Sequence, residues 1–304
     1  MPARRRFGQH FLAATWAERV LAQVAPAPGD VFLEIGPGRG ALTLPLARTG
    51  VPILAVEIDR GLAAGLAPRV PPNVTVLTAD VLSVDVLPYL AGLQPQQVVS
   101  QAGAGNPGSK DPGLRTEDPG LRSEAPGLRT ARRLRVAGNL PYNISSPILY
   151  WLVERAARDA VFTDATIMLQ REVVDRLVAR PGTKAYGALG ILVQRHATIT
   201  RLLDLPPGAF TPAPRVRSSV VRLVFHPASP PVPDDARFEA MIKALLSHRR
   251  KMLSNAIKSV APNGAEVLVR SGLDGRRRPE TLTLDELARL AVLFAATATA
   301  AGTS

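Results

Sequence analysis

The stretch Val31-Phe32-Leu33-Glu34-Ile35-Gly36-Pro37-Gly38-Arg39-Gly40 constrains the fold more than any other part of the chain. Its first five residues are mostly apolar and read as a short buried strand. Glycines at alternate positions then break the run, and Ala41-Leu42-Thr43-Leu44 starts a helix. A strand, a glycine turn and a helix form the first unit of a doubly wound sheet, in which ligands sit outside the carboxyl ends of the strands. Glycine lets the backbone approach such a ligand closely. A second apolar run, 53–56, ends in Glu57, which follows Gly36 by 21 positions. At that separation an acidic side chain bonds ribose hydroxyls in nucleotide-type sites. A third strand, 74–77, runs into Thr78-Ala79-Asp80-Val81, where Asp80 can accept an adenine amine. One glycine turn is weak on its own. Gly36 and Gly38, Glu57 and Asp80 at three successive strand ends form a stronger constellation. A dinucleotide enzyme would carry Gly-x-Gly-x-x-Gly, with a helix N-terminus facing pyrophosphate. Here the spacing is Gly-x-Gly-x-Gly with a proline inside it, which suits S-adenosylmethionine, a cofactor without a phosphate to cradle.

A fourth strand, 134–137, delivers Gly138-Asn139-Leu140-Pro141-Tyr142. Asn139 offers one carbonyl acceptor and two amide donors. Pro141 holds Leu140 extended, so that nearby carbonyls point into space. Tyr142 supplies a flat ring on which a base can lie. Acceptors beside an aromatic platform suit the exocyclic amine of a heteroaromatic ring such as adenine. Taken alone, these four residues favour a plainer reading, a strand end followed by a turn with Asn139 merely bonding the backbone. The acidic strand ends upstream favour the first reading.

The remaining organisation is coarser. The arm Arg4-Arg5-Arg6-Phe7-Gly8-Gln9-His10-Phe11-Leu12 is either a disordered leader or a segment that folds over a site. Apolar spacing over 16–24 predicts an amphipathic helix. Residues 101–132 carry three tandem units: Asp111-Pro112-Gly113-Leu114-Arg115-Thr116-Glu117 recurs from Asp118 and again, with alanine first, from Ala125. The period is seven, but Pro-Gly in every unit rules out a coiled coil, and a disordered surface loop is expected. Ser146 reads as an N-cap with Pro147 at the first helical position, leading into a helix over 148–157. Strands are expected at 165–169, 190–194 and 219–225, with a helix at 172–179; the last two strands form a hairpin at the sheet edge. Four prolines within 227–235 mark a boundary. The division is therefore 1–226, the cofactor-binding domain, and 227–304, a small basic domain with helices at 238–246, 251–260 and 284–296.

Charge enters here. The formal net charge is +12, which implies a polyanionic partner or simply an arginine-rich proteome. Its location matters more: His248-Arg249-Arg250-Lys251 and Arg276-Arg277-Arg278 lie in the small domain, read as phosphate contacts against the blander alternative of solvated helix faces. There is no cysteine, which removes thiolate chemistry and disulfides, and four scattered histidines have no metal-type spacing, so no metal is expected. Glu18 and Arg19 interrupt any signal-peptide core, and the apolar run near 290–296 is too short to span a bilayer. A soluble, monomeric, cytoplasmic protein is expected.

These residues together resemble the ribosomal RNA adenine dimethyltransferases, and within them the bacterial small-subunit (KsgA/RsmA) family. The resemblance covers nearly everything outside the repeats. It rests on 6–12, Glu34-Ile35-Gly36-Pro37-Gly38, Val56-Glu57-Ile58-Asp59, Ala79-Asp80-Val81, 138–147, 168–173, Lys184-Ala185-Tyr186-Gly187, 210–214 and 248–251. It implies an α/β, Rossmann-like S-adenosylmethionine-dependent methyltransferase sheet with a C-terminal helical domain. It also implies N6,N6-dimethylation of two adjacent adenines in a 3′-terminal hairpin loop of 16S rRNA, in the immature small ribosomal subunit and coupled to its biogenesis. By the resemblance, Gly36 and Gly38 line the methionine end of the cofactor, Glu57 holds the ribose, Asp80 the adenine, and His10, Leu12 and Asn139 complete the cofactor site. His10 stands where members often carry Asn. Asn139, Leu140, Pro141 and Tyr142 would be the catalytic stretch, with Tyr142 and Phe210 as walls for the base and Arg249, Arg250 and Lys251 on the RNA. The rival readings are an adenine-N6 methyltransferase on another RNA or on DNA, and a ribosome-assembly factor without essential catalysis. A nicotinamide dehydrogenase fails on the glycine spacing.

Overall fold

The computed structural model describes residues 10–93 and 133–301. The basic leader through Gln9 and the heptapeptide repeats lie outside the described residues. The chain enters through β1 (Phe11–Leu12) and α1 (Ala14–Val24). It then alternates: β2 (Asp30–Ile35), α2 (Thr43–Ala47), β3 (Ile53–Glu57), α3 (Arg60–Leu66), β4 (Val74–Thr78), α4 (Leu87–Gly92), β5 (Arg133–Asn139), α5 (Ser145–Asp159) and β6 (Phe162–Gln170). Next come α6 (Arg171–Leu177), α7 (Ala188–Gln194), β7 (Ala197–Leu205), β8 (Phe210–Thr211) and β9 (Ser218–Phe225).

The main sheet has the order β4-β3-β2-β5-β6-β9-β7. β4, β3, β2, β5 and β6 are parallel neighbours, and β9 runs antiparallel to both β6 and β7. The chain moves outward from β2 to β3 on one side and resumes with β5 on the other. This reversal opens a crevice at the carboxyl ends of β2 and β5, where such sheets bind ligands. Both faces are covered at the centre of the sheet, so β2 and β3 are buried at every residue rather than at alternate ones. Val31, Leu33 and Ile35 pack into one apolar cluster with Ile148, Leu152 and Val174; Phe32 packs into the other with Val20, Val24 and Leu46.

The C-terminal part consists of α8 (Asp235–Ser247), α9 (Leu253–Ala256), α10 (Gly264–Ser271) and α11 (Leu284–Ala301). Asp234 caps α8 by accepting from the Arg237 amide at 2.9 Å, which satisfies one of the helix's free donors. Fully buried Phe238, Ile242, Leu253, Ile257 and Leu287 form the core of this part. That cluster also takes in Tyr186, Ile191 and Leu192, and the Tyr186 hydroxyl donates to the Leu282 carbonyl at 2.9 Å. No helix among the described residues is long and apolar enough to cross a membrane.

Three local expectations are corrected. Residues 190–194 are not a strand but most of α7. The run is apolar on all sides because the helix is sandwiched: Leu189 and Val193 face the sheet cluster, Ile191 and Leu192 the C-terminal cluster. Short apolar runs cannot be told apart by periodicity. The edge hairpin exists, but its first strand is β7, a nine-residue strand with a register shift between Arg201 and Leu203. Finally, α5 begins at Ser145, with Ile144 at the cap position, and Ser146 and Pro147 lie inside the first turn. A proline there is harmless because that turn's N–H groups have no partner within the helix.

Candidate active site

The carboxyl ends of β2, β3, β4 and β5 surround a pocket of about 210 Å³. Its lining includes His10, Leu12, Glu34, Gly36, Gly38, Glu57, Asp80, Asn139, Leu140, Pro141 and Tyr142. Residues separated by more than a hundred positions thus meet in one crevice, and every residue expected at the cofactor is there.

The glycine turn is held by its neighbours. Gly36 and Gly38 have φ of 69° and 57°, a region that side chains with a Cβ rarely adopt. The Gly36 amide donates to the Val56 carbonyl at 3.0 Å, tying the turn to the end of β3. The Gly38 amide donates to Glu57 Oε2 at 2.9 Å, and the Asp59 amide to Oε1 at 3.0 Å. Glu57 is buried, and both of its oxygens are aimed by backbone donors. Asp80 lies just beyond β4, and its Oδ1 accepts from the Leu82 amide at 3.0 Å.

Asn139 is the last residue of β5. Its Nδ2 donates to the His10 carbonyl at 3.0 Å. Only the amine end can bond a carbonyl, so this contact orients the amide and leaves Oδ1 available. Leu140 is 1% exposed, and its amide donates to the Met168 carbonyl at 3.1 Å. Its own carbonyl accepts no hydrogen bond from the described residues. The Tyr142 hydroxyl bonds Ser218 Oγ at 2.6 Å, which fixes the ring from β9, and partial burial pushes the phenol pKa above its ordinary value.

Residues 10–12 close over the crevice. β1 pairs antiparallel with β8, Leu12 opposite Phe210, and the Ala13 amide donates to the Ala209 carbonyl at 2.9 Å. Phe11 lies beside Gly38, where a Cβ would meet its ring at 3.4 Å, and the Arg39 guanidinium sits 4.2 Å from the centre of that ring. His10 Nδ1 bonds the Pro212 carbonyl at 2.7 Å, and its imidazole stacks on Tyr142 with centroids 5.6 Å apart.

Two expected sets are placed differently. Phe210 is 3% exposed, packed with Leu12 and Val220, and does not line the pocket; the ring beside Tyr142 is that of His10. Arg249 is tied to Glu280 at 2.7 Å and to the Lys184 carbonyl at 2.9 Å, so it braces the C-terminal part. Arg250 and Lys251 are exposed and form no ion pair with the described residues. Arg277 is likewise held by Glu286. Sequence reasoning assigned no role to Ser218 or to Glu34. Glu34 is buried on the pocket wall with Oε2 unbonded. An acidic residue two positions before Gly36 was the available signal.

The pocket wall carries three carboxyl groups, Glu34, Glu57 and Asp80, with one arginine at its edge. A pyrophosphate would be repelled there. S-adenosylmethionine fits: it brings positive charge, ribose hydroxyls and an adenine amine, and Glu34 Oε2 is a buried acceptor still lacking a donor. Sheet, turn and acidic wall define an S-adenosylmethionine-dependent methyltransferase.

The comparisons with known proteins narrow this. The profile of the family described as ribosomal RNA adenine dimethylase matches residues 2–295, and the chain belongs to that family. Among curated relatives, a protein named ribosomal RNA small subunit methyltransferase A from Xylella fastidiosa (strain 9a5c) is 36% identical over 295 residues, covering 95% of each chain. The protein of the same name from Laribacter hongkongensis (strain HLHK9) is 38% identical over 290 residues, covering 94% of each. Among solved structures, a dimethyladenosine transferase from Plasmodium falciparum superposes with a TM-score of 0.68 at 18% identity, covering 95% of this chain and 98% of that one. The 23S rRNA methyltransferase ErmE gives 0.58 at 20% identity, covering 93% and 98%. These two structures share the fold.

Proposed function

We propose that the enzyme dimethylates N6 of two adjacent adenines in a 3′-terminal hairpin loop of 16S rRNA, acting as a monomer on the immature small subunit in the cytoplasm. The curated relatives carry the small subunit in their names. The observation that carries the chemistry is the oriented amide of Asn139, whose Oδ1, like the Leu140 carbonyl, accepts no hydrogen bond from the described residues, beside the Tyr142 ring.

Adenine N6 is a poor nucleophile because its lone pair is delocalised into the ring. Asn139 Oδ1 and the Leu140 carbonyl accept its two N–H groups, which favours a pyramidal nitrogen with a free lone pair. S-adenosylmethionine supplies the activated methyl group. Tyr142, held by Ser218, stacks on the base and sets its height in the crevice. Transfer then depends mainly on positioning. The methylated nitrogen loses its proton to water, so no strongly basic side chain is needed. After one transfer one N–H remains, and a single acceptor suffices to orient the second. A loop adenine is the cheapest to take out of its stack. Gly36, Gly38, Glu57, Asp80, His10 and Leu12 hold the cofactor. Residues 227–304 form the RNA-binding domain, with Arg250 and Lys251 on phosphates.

The test is methyl transfer from labelled S-adenosylmethionine to unmethylated small subunits, with the nucleosides separated afterwards. Dimethyladenosine from subunits, and little product on DNA, is the expected result. Monomethyladenosine alone, or a preference for DNA, would move the enzyme to another substrate. Tight subunit binding without transfer would favour an assembly factor.

A further inference from the structure

Three aromatic rings line the crevice, those of His10, Phe11 and Tyr142. Phe11 belongs to the glycine turn, beside Gly38 and under the Arg39 guanidinium. That leaves His10 and Tyr142, whose rings stack with centroids 5.6 Å apart and planes 28° from parallel. Under the proposed function Tyr142 is the first wall of the base site. A purine lying on it has a second face, which must go against water or against another ring. Phe210 does not supply that ring, since it is 3% exposed and packed in the core with Leu12 and Val220. Among the described residues, the ring stacked on Tyr142 is that of His10.

The two rings are held from different places. The Tyr142 hydroxyl bonds Ser218 Oγ, and Ser218 is a buried residue of β9. His10 precedes β1, and its Nδ1 donates at 2.7 Å to the carbonyl of Pro212, in the loop between β8 and β9. The His10 backbone carbonyl accepts from Asn139 Nδ2 at 3.0 Å, so the residue that presents the imidazole also aims the acceptor for the amine. A base between two rings needs about 3.5 Å on each side, hence about 7 Å between the rings. At 5.6 Å the rings touch and enclose nothing. Tyr142 is anchored on the sheet and His10 on a loop, so the imidazole is the wall that moves. We propose that His10 is the second wall of the base site, and that the target adenine inserts between its imidazole and Tyr142, parting the rings by about 1.5 Å. The inference rests on Tyr142 receiving the base. It gives the imidazole a task on the RNA side of the crevice, separate from covering the cofactor.

The experiment compares His10→Phe with His10→Leu in the full chain. Both lose the Pro212 bond and keep the backbone carbonyl that orients Asn139; only the first keeps a ring. Methyl transfer to unmethylated small subunits is measured first. His10→Phe should stay within about threefold of wild type in kcat/KM for subunits, and His10→Leu should fall about tenfold or more. Calorimetry with S-adenosylhomocysteine should give the two variants equal affinity, which places the difference at the base and not at the cofactor. The second measurement needs no turnover: small subunits carrying 2-aminopurine at a target position are bound with S-adenosylhomocysteine present. Wild type and His10→Phe should quench the flipped base by stacking on both of its faces, and His10→Leu should leave it brighter. Wild-type transfer with equal rates and equal fluorescence for the two variants would overturn the proposal while leaving the proposed function intact, because the base would then lie on Tyr142 alone. No transfer by wild type would overturn both. If His10→Leu does not fold, a 2-aminopurine signal that stays unquenched with wild type and with His10→Phe would still overturn the proposal, and quenching by both would support it.

Discussion

Glu34 makes a prediction about stability that needs no ligand. Its carboxyl is raised from 4.5 to about 7 in the folded chain, chiefly by burial. Below pH 4.5 both folded and unfolded chains hold the proton, and the group contributes no pH dependence. Between 4.5 and 7 the folded chain holds a proton that the unfolded chain has released, so stability falls as pH rises. Above 7 the full cost is present. A difference of that size corresponds to about 3 kcal/mol. Glu34→Gln replaces the carboxyl with a neutral group of the same shape and removes this cost. The variant should therefore match wild type near pH 5 and exceed it by about 3 kcal/mol at pH 8, a rise in Tm of roughly 5 °C or more for a chain of this size. The assay is thermal and urea unfolding of both proteins, free of cofactor, across that pH range. Every other titrating group is common to both, so the difference isolates Glu34. Equal stability at pH 8 would refute the buried-acid reasoning, as would a gain of the same size at pH 5 and pH 8, which would point to packing instead.

Other perturbations have equally direct readings. Asn139→Ala removes the oriented Oδ1 and should abolish methyl transfer to small subunits while changing Tm little; undiminished transfer would refute its role. Tyr142→Phe keeps the ring but cuts the 2.6 Å bond to Ser218, so kcat should fall several-fold with cofactor affinity unchanged by calorimetry. A Cβ at Gly138 would lie 2.5 Å from the Ile35 carbonyl, so Gly138→Ala should force β2 and β5 apart beside the pocket and weaken cofactor binding more than tenfold. Arg135 is 6% exposed and joins Asp30 at 2.8 Å, Asp164 at 2.7 Å and the Val24 carbonyl at 2.8 Å. Arg135→Met removes the buried cation shared by two carboxylates, which keep only Arg133 and Arg222 at the edge, and urea unfolding should show a loss of about 3 kcal/mol.

The sheet and the cofactor side of the pocket were legible because their signals are local. A glycine turn must follow a strand directly, and an acidic residue at a strand end stays there in the fold. Glu57, Asp80 and Asn139 needed only the rule that ligands sit at those ends. What escaped was set by packing between distant segments. Residues 190–194 carry the same apolar run whether they form a strand or a helix, and only the clusters on both sides decide for α7. Phe210 follows a stiff loop and was assigned to the base pocket, but pairing of β8 with β1 turns it under the arm and into the core. The basic run at 248–251 was read as one surface, yet Glu280 lies 31 positions away and takes Arg249 out of it. Glu34 stood inside the most informative stretch of the chain. Its burial depends on α2 folding back beside the strand, which the residue pattern does not state.

The placement of His10 has a consequence for how the site is assembled. Its carbonyl orients the Asn139 amide, its Nδ1 bonds the Pro212 carbonyl, and its ring lies on Tyr142. The first of these contacts is made by backbone, so an Asn in its place could keep it. The second and third are made by the side chain. Under the proposed function, residues 10–12 would help to position the base as well as cover the cofactor. Since β1 is only two residues long, its hold depends on β8 and on Phe11 packing beside the glycine turn. That turn is tied in turn to Glu57 through the Gly38 amide. The acid at the end of β3 and the amide at the end of β5 are thus linked through one continuous set of contacts that runs along the arm. A cofactor seated against Glu57 and Gly38 stiffens this path from one end. Under the proposed function, Asn139 would then be fixed before any RNA arrives, which is the preorganisation that transfer by positioning requires.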